Sequence, residues 1–198
     1  MITIVSCSHY PDDERIYHKE IKTLVKKKHI INYFTLSESK DNLSNKFINH
    51  INYSSVKYSI KEYMDLVELK IRETPTKVIH IHEPELFSLA ISIKKLTGAR
   101  IIYDVHEDYI SMIYTFSRWN KHVKYLRAKY WLLKEKSFLK HVDEVIIASS
   151  TIVNSDFKIQ GFCPVLLENF PLNTWVNSIN ISNKIKNSLI YHGNMGPE

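Results

Sequence analysis

Histidines and carboxylates recur close together at a few places in this chain. Ser8-His9 is followed by Asp12, Asp13 and Arg15; His80, His82, Glu83 and Glu85 share one short segment; His106, Glu107 and Asp108 are consecutive. An imidazole beside a carboxylate can move a proton or stabilise a developing charge. Ser149 and Ser150, and then Glu168 and Asn169, are smaller polar groups in equivalent settings. Each group follows a short apolar run. In an open parallel sheet, ligands bind outside the carboxyl ends of the strands. These residues are therefore expected to line one cleft, although loops are polar in any case. His80 and His82 are two apart on an apolar run and face the same way. They could share a metal ion, but no further ligand set lies near them in sequence, and no metal is expected.

The elements that must position these groups alternate regularly. Strands are expected at Ile2–Ser6, Ile30–Leu36, Phe47–Tyr53, Val78–His82, Arg100–Val105, Val145–Ser149 and Val165–Glu168. Helices are expected at Ile16–Lys27, Val56–Arg72, Leu86–Leu96, Ser117–His141 and Ile152–Gln160. Pro11, Asp12 and Asp13 suit a turn and the positive end of the first helix. Pro84 sits at a first helical position, and Gly98 reads as a C-terminal cap. Strands alternating with helices imply a Rossmann-like α/β fold: a parallel sheet with helices on both faces and right-handed crossovers. The polar stretch 173–187 reads as a linker after a domain of residues 1–172. Residues 188–198, with the apolar run Leu189–His192 and a Gly/Pro turn, read as the start of a second domain that is missing.

Absences narrow the chemistry. The chain holds only four glycines, Gly98, Gly161, Gly193 and Gly196, and none follows the first strand. Dinucleotide fingerprints and phosphate-cradling P-loops need glycines there for close backbone approach, so neither is present. No GxSxG nucleophile elbow occurs.

With 198 residues, 44% hydrophobic and 24% charged, the composition is that of an ordinary globular domain. No apolar run approaches the roughly 18 residues that span a bilayer, and no signal peptide is evident, so cytoplasmic residence is expected. Cys7 and Cys163 are read as two buried thiols. The net charge of +6 suggests an anionic partner. Residues 117–141 carry Arg118, Lys121, Lys124, Arg127, Lys129, Lys134, Lys136 and Lys140 among Trp119, Tyr125, Tyr130, Trp131 and Phe138. Two readings stand side by side: a peripheral contact with an anionic membrane, or a surface helix with a core-facing apolar stripe. No nucleic-acid motif accompanies the charge, and no nucleic-acid partner is expected.

Several segments in series resemble the family 4 glycosyltransferases, retaining enzymes of the two-domain GT-B fold. They are Ser8-His9-Tyr10-Pro11-Asp12-Asp13-Glu14-Arg15-Ile16 with Lys19-Glu20, His82-Glu83-Pro84-Glu85-Leu86 and Tyr103-Asp104-Val105-His106-Glu107-Asp108-Tyr109. Val142-Asp143-Glu144-Val145-Ile146, Glu168-Asn169-Phe170-Pro171 and Tyr191-His192-Gly193-Asn194-Met195-Gly196-Pro197-Glu198 complete the set. The resemblance implies the N-terminal, acceptor-side half of a GT-B enzyme. Such an enzyme transfers a sugar from a nucleotide-diphosphate donor to a sugar or lipid-linked sugar acceptor, in surface polysaccharide or glycolipid synthesis. The nucleotide sugar is a cosubstrate and no cofactor is implied. The donor would be held mainly by the missing domain, so the isolated chain is expected to be inactive. His106 matches the histidine near the reaction centre and is the implied catalytic residue. His9, Arg15, Glu83, Glu85, Glu107, Asp108 and Asn169 are the implied substrate-binding residues, Arg15 through a phosphate or acceptor carboxylate. A structural ion pair of Arg15 with Asp12 or Asp13 is the competing expectation, and Asp104 is expected to be structural. Relatives often carry a glycine pair after the first strand for the diphosphate; Cys7-Ser8-His9 stands there instead. Two other readings stay open: a non-catalytic or split-gene binding module needing a partner chain, and a GT-B-fold nucleotide-sugar epimerase.

Overall fold

The computed structural model describes residues 1–152, 157 and 161–170. The expected linker 173–187, the expected second-domain start 188–198 and nearly all of the expected helix Ile152–Gln160 lie outside the described residues.

Seven parallel strands form one sheet: β1 (Ile2–Ser6), β2 (Ile31–Leu36), β3 (Ile48–Tyr53), β4 (Val78–Ile81), β5 (Arg100–Val105), β6 (Glu144–Ile147) and β7 (Val165–Leu166), in the order β3-β2-β1-β4-β5-β6-β7. The fold is the Rossmann-like α/β arrangement expected from the sequence. The order reverses between β1 and β4, and a crevice opens at such a switch point beyond the carboxyl ends of the strands.

Alternation along the strands assigns the two faces. Val5, Phe34, Ile79, Ile81, Ile101, Tyr103, Val105 and Val145 point to one side. There they pack against Tyr63, Val67 and Ile71 of α2 (Ile60–Arg72), Phe87, Leu89, Ala90 and Ile93 of α3 (Phe87–Thr97), and Phe138 and Leu139 of a later helix. Phe87 and Phe138 stack at 3.9 Å, and each buried side chain of this size contributes roughly 2–3 kcal/mol. Ile4, Ile31, Tyr33 and Ile48 face the other side, against Ile16 and Ile21. On that second side, β4 and β5 carry His80 and Asp104 beside the apolar Val78 and Ile102.

Helix ends follow their caps. Ser59 and Glu62 form a capping box that starts α2 at Ile60, later than the expected Val56. Gly98, with φ of 71°, closes α3 in the left-handed region. The first helix is irregular: Ile16–Ile21 is π-helical, with the Glu20 amide donating to the Arg15 carbonyl, and runs into α1 (Lys22–Lys26). One helix went unseen in the sequence. Asp108 accepts from the amides of Ile110 and Ser111 and caps α4 (Tyr109–Phe116), after which Asn120 caps α5 (Lys121–Leu139). The single helix expected over 117–141 is thus shorter, with a second helix before it. Cys7 is buried, but Cys163 is exposed in the segment leading to the short edge strand β7, contrary to expectation.

Candidate active site

A cleft of about 560 Å³ lies beyond the carboxyl ends of β1, β4, β5 and β6. Its lining includes His9, Arg15, Glu83, His106, Glu107 and Asn169, six of the eight residues singled out from sequence. Glu85 and Asp108 stand outside it.

Glu83 holds the loop after β1. Its Oε1 accepts from Ser6 Oγ at 2.6 Å, Ser8 Oγ at 2.9 Å and the amides of Cys7 and Ser8 at 3.2 and 3.1 Å. In glycine-rich folds the amides of this loop grip a ligand phosphate. Here a carboxylate of the chain itself takes them, and Glu83 is only 3% exposed. This brace explains why the loop manages without glycine. Burial first, then Glu83 and Glu85, push the Cys7 thiol far up, so it is an unreactive thiol.

Asp13 organises the start of the first helix. Its Oδ1 accepts from the amides of Arg15 and Ile16 at 2.8 Å, and its Oδ2 meets His9 Nδ1 at 3.0 Å. Burial alone would raise the Asp13 carboxyl, but the His9 and backbone hydrogen bonds prevail and hold it down at about 2. The hydrogen bond to Asp13 raises His9 in turn, against the opposing effect of burial. The His9 ring packs edge-on to that of His106, with centroids 5.1 Å apart.

Arg15 lines the cleft but spends its donors within the protein. It is 4% exposed, and its guanidinium donates to Asp104 Oδ1 at 2.8 Å and Oδ2 at 3.0–3.1 Å, and to the Leu167 carbonyl. With its donors turned inward, Arg15 ties the first helix to β5 instead of reaching for an anion. The side-chain pairing with Asp12 or Asp13 does not form either. Asp104, fully buried, is the structural hub the sequence suggested. Burial would raise its carboxyl, but His106, His82 and His80 more than offset this and hold it well below the usual range.

His106 stands at the end of β5 with Nε2 3.0 Å from His82 Nδ1 and 3.3 Å from Asp104 Oδ2. Both contacts fall on Nε2. A buried carboxylate and a second imidazole therefore orient a ring that lines the cleft. Glu107, beside it, is exposed to the cleft. Asp108 spends its carboxylate on the cap of α4 and on Ser111 Oγ, so its expected contact with substrate is not what its geometry serves. Glu85 accepts from Tyr109 Oη at 3.2 Å. Asn169 accepts from Lys19 Nζ at the cleft edge.

Sequence reading missed Glu20. The π-helical turn swings it toward His80, His82 and Asp104, where it is 8% exposed. Its only signal is Lys19-Glu20 recurring in the resembling segment.

No protein family and no curated protein matches the sequence. Solved structures do. A sucrose-phosphate synthase from Thermosynechococcus elongatus superposes with a TM-score of 0.63 at 12% identity, over 84% of this chain and 47% of that one. Os79 from O. sativa, solved in complex with UDP, superposes with a TM-score of 0.50 at 9% identity, over 85% of this chain and 52% of that one. The chain thus spans about half the length of the structures it resembles, and at this identity it shares their fold.

Proposed function

We propose that the chain is the acceptor-side half of a retaining, nucleotide-sugar-dependent glycosyltransferase of the GT-B type. The observation that carries this reading is His106 at the end of β5, lining the switch-point cleft with its Nε2 fixed by His82 and Asp104. A ring held in this way presents Nδ1 to a ligand. It can hydrogen-bond a sugar hydroxyl or stabilise charge that develops as the sugar leaves its diphosphate. His9, Glu107 and Asn169 line the same cleft and are suited to acceptor hydroxyls. The shared fold with a chain solved with UDP supports a nucleotide-diphosphate donor. Because Glu83 fills the loop after β1, the diphosphate belongs to groups contributed by another domain. No cofactor is required.

The acceptor in this reading is a lipid-linked sugar of surface polysaccharide or glycolipid assembly, met by a protein lying peripherally on the cytoplasmic face of a membrane. In α5 only Ala128, Phe138 and Leu139 are buried. Phe116, Trp119, Tyr125, Leu126, Tyr130 and Leu133 are exposed among lysines, and Arg127 lies over the Trp119 ring at 4.5 Å. Besides the core-facing Ala128, Phe138 and Leu139, this segment thus carries a second, outward set of apolar residues. No described helix is long and apolar enough to cross a membrane.

A steady-state assay with nucleotide sugars and lipid-linked acceptors tests the reading. The isolated chain should show no sustained transfer, because catalysis needs both walls of the cleft. A protein that joins this chain to the other half of the cleft should transfer sugar only when acceptor is present. Sustained transfer by the isolated chain, or interconversion of a free nucleotide sugar without acceptor, would overturn it.

A further inference from the structure

Beneath the cleft, Glu20, His80, His82 and Asp104 bring one ligand atom each within 4.8 Å of one another. They come from three elements: the π-helical turn, β4 with the residue that follows it, and β5. All four are at least nine-tenths buried. Among the described residues, Glu20 Oε1 and Oε2, His80 Nε2 and His82 Nε2 are buried without a hydrogen-bond partner. Each such atom costs about 1–3 kcal/mol. Arg15 Nε comes within 3.1 Å of Glu20 Oε1 but aims its N–H at Asp104.

We propose that this cluster is a binding site for one divalent transition-metal ion, zinc first, held by His80 Nε2, His82 Nε2, Glu20 and Asp104. The spacing fits. The His82 Nε2–Glu20 Oε2 distance is 4.0 Å and the His80 Nε2–Asp104 Oδ2 distance is 3.8 Å. Both are too long for hydrogen bonds. Zinc–ligand bonds of about 2.0–2.1 Å give a tetrahedron edge of roughly 3.3 Å, so these two pairs close by about 0.5–0.7 Å and no pair, all lying within 4.8 Å, by more than about 1.5 Å. Two imidazoles with two carboxylates suit zinc and its neighbours in the first row better than calcium or magnesium. Arg15 leaves lone pairs on both carboxylates for an ion. In addition, His82 Nδ1 faces His106 Nε2 at 3.0 Å. A metal-bound imidazole characteristically donates its other N–H to a neighbour, so with the ion bound His82 Nδ1–H donates to His106 Nε2, which then accepts, and Asp104 turns from His106 to the ion. A cavity lies on either flank of the cluster. Arg15 and His82 line the cleft, and Arg15, Glu20 and His80 line a second cavity of about 390 Å³ on the other flank.

Elemental analysis of the chain, refolded with zinc and dialysed, tests this without reference to transfer activity. About one ion per chain is expected, together with the visible spectrum of tetrahedral Co²⁺ when cobalt is used instead. His80→Ala should weaken zinc binding by at least about 100-fold, since even outer-sphere losses cost 10–100-fold; His29→Ala, at an exposed position, should leave it unchanged. If His80→Ala does not fold, the near-isosteric Glu20→Gln takes its place. A wild-type chain with no stoichiometric ion and no tetrahedral cobalt spectrum overturns the site, as does a folded ligand variant that binds as well as wild type.

Discussion

Replacing Asp104 by Asn should destabilise the chain far more than its isosteric shape suggests. Asp104 receives three N–H···O contacts of 2.8–3.1 Å from Arg15, a residue 4% exposed. Asn removes the carboxylate that accepts the guanidinium's N–H groups and leaves Glu20 Oε1, 3.1 Å from Nε, as the remaining counter-charge, and arginine cannot shed its proton. Breaking a buried pair in this way costs about 3–5 kcal/mol. The retained amide oxygen places the change near the lower end, about 3 kcal/mol, a large share of the 5–15 kcal/mol typical of a domain. Arg15→Met should cost less, about 1–2 kcal/mol. The Asp104 carboxylate it strands keeps His106 Nε2 within hydrogen-bond range at 3.3 Å. The double variant should resemble Arg15→Met, with a coupling of more than about 1 kcal/mol. Urea unfolding followed by circular dichroism, with a chelator present throughout, measures all three. If Asp104→Asn costs under about 1 kcal/mol, or if the two changes simply add, the account of a buried Arg15–Asp104 tie is refuted.

Asp13→Asn should flatten the pH dependence of stability at two places. The His9 contribution is complete below about 6.5 and fades as pH rises through its raised folded value. That of Asp13 is present above 3.8 and fades as pH falls through about 2. The shift in Asp13 corresponds to at most about 2.5 kcal/mol, and partial exposure reduces it to about 1 kcal/mol, readable from urea midpoints between pH 2 and 8. Phe138→Ala removes one ring of the 3.9 Å stack and should cost about 3–5 kcal/mol in the same assay. Reversing Lys121, Lys124 and Arg127 to Glu should weaken binding to anionic vesicles by at least about 100-fold, at about 1 kcal/mol per basic residue; unchanged co-sedimentation would remove the membrane contact.

The sheet was legible because its strands are short β-branched runs bounded by turns, and only their ends shifted by a residue or two. The position of the cleft followed as well, since every strand ends on that side. What the spacing could not show is where each polar group spends its hydrogen bonds. Glu83 closes on Ser6 and Ser8, and Arg15 closes on Asp104, 89 residues away. Both are pairings made by the topology and invisible in local pattern. Asp108 looked like a cleft residue because it follows His106 and Glu107, yet its separation from Ile110 and Ser111 is that of a helix cap. That His80 and His82 face one way was visible, although no metal was expected there. Their neighbour Glu20 was not, because it reaches them only through a π-helical turn that no periodicity announces.

The most direct test is nucleoside-diphosphate release by the whole gene product, supplied with nucleotide sugar and lipid-linked acceptor, for wild type and for His106→Ala. The account predicts acceptor-dependent release that falls by about 10²–10⁴-fold in the variant, with folding intact by circular dichroism. Release that does not depend on acceptor, or a folded His106→Ala protein as active as wild type, would contradict it.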